Sequence, residues 1–218
     1  EECDEKFGFL TKEEICELDA YCKENFIDFI PSLSTFGHLF ELLSQEKYKH
    51  LRTLKNYKEP QNFWNERMAH HTIDPLNDES IEVIKSLIDQ YAPHFESEYF
   101  NICCDETFDL KVFEEQGLDV GKVYVDFLQK IINYTKQKGK KVMMWADVVL
   151  QHPETIDALP DDIYFLNWDY SPAPPEETTI KLAKTNRKQI VCPGTTTWSR
   201  LCENVDVEEK NISLMAEY

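Results

Sequence analysis

Five short apolar runs, each set between stretches of helical periodicity, constrain the fold of this chain more than any other feature. They are FIDFIPSL (26–33), YFNICC (99–104), KKVMMWADVV (140–149), DIYFLNWDY (162–170) and KQIVCPGTTTW (188–198). Runs of this length, rich in β-branched and aromatic residues and bounded by turn residues, read as buried strands. The intervening stretches read as helices. TKEEICELDAYCKENF carries Thr11 as N-cap with Glu14 three residues on, the spacing of a capping box. Ile15, Leu18 and Cys22 then share one face. DESIEVIKSLIDQYA (78–92) repeats Ile81, Ile84, Leu87, Ile88 and Tyr91 at helical spacing. A third helix carries Val123, Tyr124, Phe127, Leu128, Ile131 and Ile132 on one stripe and stops at Gly139. Shorter helices are predicted near 153–159, from Pro174-Pro175 to about Asn186, and from Asp206 onward. Strands that alternate with helices build right-handed βαβ units around a parallel sheet. Nothing breaks the alternation, so 1–218 reads as one domain, with 44–77 as a long insertion after the first strand.

The surface of such a domain would be strongly acidic, since 41 Asp and Glu face 23 Lys and Arg for a formal net charge of -18. That balance repels nucleic acid and anionic membranes and favours neutral or cationic ligands. No run approaches the ~18 apolar residues of a membrane span, so a soluble protein without a membrane partner is expected. Seven cysteines occur without a C-x-x-C pair. Their spacing fits reduced, mostly buried thiols in a reducing compartment, and hence a cytoplasmic location, better than a disulfide framework or zinc site. The histidines are scattered, and the adjacent His70-His71 cannot share a helix face, so no metal is expected. Asn133-Tyr-Thr and Asn211-Ile-Ser match the glycosylation sequon, a pattern short enough to arise by chance.

Polar residues recur just after the runs: Ser34, Thr35 and His38; Asp105 and Glu106; Asp147; Asp169 and Tyr170; and Thr195 to Trp198. In a (β/α) barrel the active site lies at the C-terminal ends of the strands and draws on several of them. Trp145, Trp168 and Trp198 lie near three of those ends. Indole faces stack on the C–H surfaces of pyranoses while acids take the hydroxyls, so this set describes a sugar pocket. The adjacent acids Asp105 and Glu106 need a separate explanation, because neighbouring side chains on a strand point to opposite faces.

In order along the chain, IPSLSTFGHLFELL (30–43), NICCDETF (101–108), MMWADVVL (143–150), FLNWDY (165–170) and CPGTTTWSRL (192–201) resemble the catalytic domain of glycoside hydrolase family 20. The likeness is greatest to its hexosaminidase D branch and runs from about Phe7 onward. It implies a TIM (β/α)8 barrel, incomplete here, with about strands three to seven present in this chain. The family's first-strand Arg and eighth-strand Trp and acid have no counterpart. The chain is therefore expected to be part of a longer protein and to have weak activity or none in isolation. Three positions depart from the family pattern. Asn101 stands where His is usual, and Cys103 and Cys104 occupy positions that are usually small, often Gly-Gly.

The resemblance implies hydrolysis of terminal β-linked N-acetylhexosamines, with an N-acetylhexosaminide or glycoconjugate as substrate and no cofactor. The mechanism would be substrate-assisted, one of the exceptions to the two-carboxylate pattern. Asp105 would orient the 2-acetamido group and stabilise the developing oxazolinium, while Glu106 would act as general acid and then general base. His38, Asn101, Trp145, Asp147, Trp168, Tyr170 and Trp198 would bind substrate, Tyr170 being the candidate for the tyrosine that holds the acetamide oxygen. Three other readings use the same residues. One is a conventional glycosidase pairing Glu106 with Asp147 or Asp169; another is a metal-dependent barrel enzyme; the third is a non-catalytic carbohydrate-binding barrel.

Overall fold

The computed structural model describes residues 10–56, 71–195 and 201–218. Its centre is a parallel four-stranded sheet in chain order, β1 (Tyr99–Asn101), β2 (Lys141–Trp145), β3 (Tyr164–Trp168) and β4 (Lys188–Cys192). Each strand pairs with the next, as in a TIM-barrel-like α/β fold, and helices make the crossovers. The run at 26–33, predicted as a fifth strand, forms a single parallel bridge from Ser32 to Asn101. The Asn101 amide donates to the Pro31 carbonyl (2.9 Å) and the Leu33 amide to the Asn101 carbonyl (3.0 Å). Pro31 has no N–H to extend that ladder, which explains why the segment lies beside β1 without becoming a full strand.

Helix α1 (Lys12–Glu24) begins with the predicted capping box, in which Thr11 and Glu14 bond each other's backbone amides. The short α2 (Phe40–Ser44) follows His38. Helix α3 (Asp78–Tyr91) is capped by Asn77, and after β1 come α4 (Lys111–Glu115) and α5 (Val120–Gln137), the latter capped by Asp119. Gly139, at φ 78°, takes the left-handed turn that ends this last helix. Past β2, α6 (Asp147–Gln151) starts where the strand was predicted to continue, and the helix predicted near 153–159 is a 3-10 helix, Pro153–Ala158. Helix α7 (Glu176–Ala183) stops three residues short of Asn186, and α8 (Val205–Glu217) closes the described chain.

The stripes on α3 and α5 pack on one face of the sheet, where Ile84, Ile88, Phe127, Leu128, Ile131 and Ile132 meet Phe100, Val142, Met144 and Phe165. Full burial of such a side chain contributes about 1.5–3 kcal/mol. The register places the alternate residues on the other face. There Asn101 is level with Met143, Trp145 with Leu166, and Trp168 with Cys192. Asn101, Trp145 and Trp168 at the strand ends therefore share the face opposite the α3 and α5 stripes.

Asn211, one of the two sequon asparagines, is completely buried. Its side chain donates to the Asp169 and Ser171 carbonyls (2.9 and 2.7 Å) and accepts from the Gly194 amide (2.9 Å). It fastens the loop after β3 to the loop after β4, and in that position it is closed to glycosylation.

Candidate active site

Asp105 and Glu106 follow a strand that ends earlier than its sequence suggests. The ladder continues through two bonds, from the Ile102 amide to the Met143 carbonyl (2.9 Å) and from the Trp145 amide to the Cys103 carbonyl (3.0 Å). Within that stretch the backbone turns left-handed at Cys103 (φ 58°) and Cys104 (φ 66°), and it does so again at Glu106 (φ 47°). Each such non-glycine residue costs on the order of 1–2 kcal/mol, so the surroundings must hold it. Asn101 is one holder: it is buried, its Oδ1 accepts from the Cys103 amide (3.0 Å), and its Nδ2 donates to Ser32 Oγ (3.0 Å). The Thr35 hydroxyl donates to the Ile102 carbonyl (2.6 Å), and the Tyr124 hydroxyl, on α5, donates to the Cys104 carbonyl (2.9 Å). Burial pushes both Cys103 and Cys104 thiols up, which keeps them protonated packing groups.

The consequence is convergence. His38 Nε2 lies 3.1 Å from Asp105 Oδ2 and 3.2 Å from Glu106 Oε2, so the two neighbouring acids meet at one nitrogen. Strand alternation would have sent them apart; the left-handed turns remove that rule. Hydrogen bonds to Asp105 and then to Glu106 push the imidazole up to about 10, against the opposing effect of partial burial. His38 is thus an imidazolium clamped between two carboxylates. A raised imidazole pKa stabilises the fold fully below its ordinary value of 6.5, and this contribution is lost as the pH climbs through about 10. Among the described residues, the donor atoms of His38, Asp105 and Glu106 all lie within 4.8 Å of one another, a spacing that would also admit a metal ion. The imidazolium already supplies the positive charge that such an ion would bring.

Gly37 makes the convergence possible. A Cβ built there would lie 2.4 Å from the Asp105 carbonyl oxygen. Gly37→Ala is therefore expected to force the two strand-end loops apart, lowering stability by about 1–3 kcal/mol. By NMR titration the His38 imidazole should then return toward its ordinary value; an unchanged titration in the variant would contradict this.

The other predicted residues surround this cluster. Asp147 Oδ2 accepts from the Glu106 backbone amide (3.0 Å), and burial pushes its carboxyl up to about 6. Trp145 is half-buried at the end of β2, and Trp168 stacks on Tyr170 at 5.0 Å between ring centroids. The Tyr170 phenol is raised by burial first, then by the fields of Cys192, Asp105, Glu106 and Asp147. Asp169 turns back on its own loop, its Oδ1 accepting from the Ser171 amide (2.8 Å) and hydroxyl (2.5 Å). Trp198 lies outside the described residues. Sequence reasoning missed Gly37, Asn211 and Tyr124 as residues that hold the site. The lone glycine before His38 was the one local signal available.

The chain matches the family model "Glycosyl hydrolase family 20, catalytic domain" over residues 1–215. Among curated proteins it is 24% identical over 184 residues to lacto-N-biosidase of Bifidobacterium bifidum, covering 78% of this chain and 16% of that protein. It is 22% identical over 170 residues to hexosaminidase D of Bos taurus, covering 72% of this chain and 46% of the relative. The solved β-N-acetylhexosaminidase of Bacteroides fragilis superposes with a TM-score of 0.68 at 21% identity, over 96% of this chain and 42% of that one. The chain thus spans less than half the length of these relatives.

Proposed function

This chain belongs to glycosyl hydrolase family 20, and on that premise we propose that it supplies the acid–base centre of a β-N-acetylhexosaminidase acting by substrate-assisted catalysis. Residues 1–218 would form one portion of a catalytic barrel, about strands three to seven, and the activity would belong to the longer protein that completes it. Glu106 protonates the departing glycosidic oxygen and then deprotonates the incoming water. Asp105 accepts the N–H of the substrate's acetamide and balances the positive charge as the acetamide oxygen closes onto C1. The observation that carries this reading is the convergence of both carboxylates on His38. A cation held there can exchange partners as a proton enters or leaves Glu106.

Trp145, Trp168 and Tyr170 offer the sugar-facing surface, with Trp198 following β4 in sequence. The geometry weighs against a conventional two-carboxylate glycosidase. Asp147 is tied to the Glu106 amide and Asp169 to Ser171, so neither is presented as a free nucleophile. The test is hydrolysis of an aryl β-N-acetylglucosaminide by the full-length protein beside the matching β-glucoside, each with and without chelator. Turnover confined to the N-acetyl substrate and indifferent to chelator is expected. Equal turnover of the glucoside would support the conventional glycosidase, loss with chelator the metal-dependent enzyme, and no turnover of either the binding barrel.

A further inference from the structure

We propose that Asp147 is a positioning residue for Glu106, holding its backbone amide and, under acidic working conditions, doing so as a neutral acid, so that the general acid/base keeps its direction without a third negative charge in the site. This rests on the reading of Glu106 as general acid/base.

Two observations carry it. First, Glu106 sits in a left-handed conformation that its side chain disfavours, and the 3.0 Å bond from its amide to Asp147 Oδ2 is a direct restraint on that turn. Asp147 is itself well fixed, since it opens α6 immediately after β2 and the neighbouring Ala146 amide donates to the Leu166 carbonyl of β3 (3.0 Å). Second, the other carboxyl oxygen, Oδ1, is shut off from solvent and has no hydrogen-bond partner among the described residues. An anionic carboxylate with one oxygen unsolvated and unbonded is costly, and the neutral acid is buried there at much lower cost.

The surroundings favour the proton. Asp105 and Glu106 approach from the loop after β1, Cys104 from the same loop, Tyr124 from α5 and Tyr170 from the loop after β3. These groups are either negative or neutral, and the His38 imidazolium, ahead of α2, is engaged by the Asp105 and Glu106 carboxylates themselves. Burial is the largest influence raising the Asp147 carboxyl to about 6; the Glu106 amide opposes it, and the charges of Asp105 and Glu106 reinforce it.

The test compares Asp147→Asn and Asp147→Ala in the full-length protein. Asn keeps an oxygen to accept from Glu106 and is neutral at every pH; Ala releases the amide. If Asp147 works neutral, then below its midpoint of about 6 Asp147→Asn retains kcat within a fewfold of wild type. Asp147→Ala loses about 10²-fold in kcat with KM little changed, because the acid is displaced and binding is not. An Asn variant as slow as Ala would show that the charge is needed, and an Ala variant that raises KM while keeping kcat would make Asp147 a substrate ligand; either overturns the proposal. A second readout needs no turnover. The Glu106 amide resonance should titrate in the wild type with a midpoint near pH 6 and lose that step in Asp147→Asn. A step that persists in Asn, or is missing in the wild type, overturns it. An inactive wild type with the titration intact would instead fail the hexosaminidase reading.

Discussion

Glu106→Gln is expected to lower kcat by about 10²- to 10⁴-fold on an N-acetylglucosaminide with a sugar leaving group, the range a positioned general acid contributes. The amide keeps the size of the carboxyl and one acceptor toward His38, so KM should change little. The loss should shrink on an aryl glycoside, whose leaving oxygen needs less protonation, and that dependence on the leaving group separates an acid from a merely structural residue. With Glu106 neutral, His38 loses one of its two carboxylate partners, so its imidazole should titrate below about 10. Steady-state kinetics on the two substrates, beside an imidazole titration, check both halves. An equal loss on both leaving groups would contradict the assignment.

Asp105→Asn is expected to be as damaging for a different reason. The neutral amide can still accept the acetamide N–H, but it cannot balance the charge of the closing oxazolinium. Removing one preorganised electrostatic partner of this kind costs about 10²- to 10³-fold in kcat. Unlike the Glu106 variant, its loss should not depend on the leaving group, because the acetamide attacks whatever departs. His38 should also respond more strongly here, since Asp105 is the larger cause of its raised pKa. Both variants should stay folded, because each side chain is replaced at nearly equal volume beside a partly exposed cluster.

The element order could be read from the chain because its signals are local. Helical spacing marked α3 and α5, the Thr11 capping box marked the start of α1, and apolar runs marked the strands. Asp105 and Glu106 stood out because a strand end in a βα unit is where chemistry collects. What the sequence hid is non-local or depends on backbone sign. The left-handed turns at Cys103, Cys104 and Glu106 carry no glycine to announce them, so strand alternation alone could not show that both acids meet at His38. His38 reaches them across 67 residues of sequence. Asp147, placed in the pocket by its strand-end position, is engaged with the backbone of Glu106. Asn211, whose sequon match is short enough to arise by chance, is buried between two loops that only the folded chain brings together.

The central claim is that the substrate's own acetamide is the nucleophile, with Asp105 and Glu106 serving it. The most direct test is inhibition of the full-length protein by the N-acetylglucosamine thiazoline, a stable mimic of the oxazoline intermediate. Competitive inhibition with an inhibition constant at least about 10²-fold below KM is the predicted result, since mimics of the high-energy species outbind substrate by such factors. Undiminished turnover of the N-acetylglucosaminide at saturating thiazoline would contradict it.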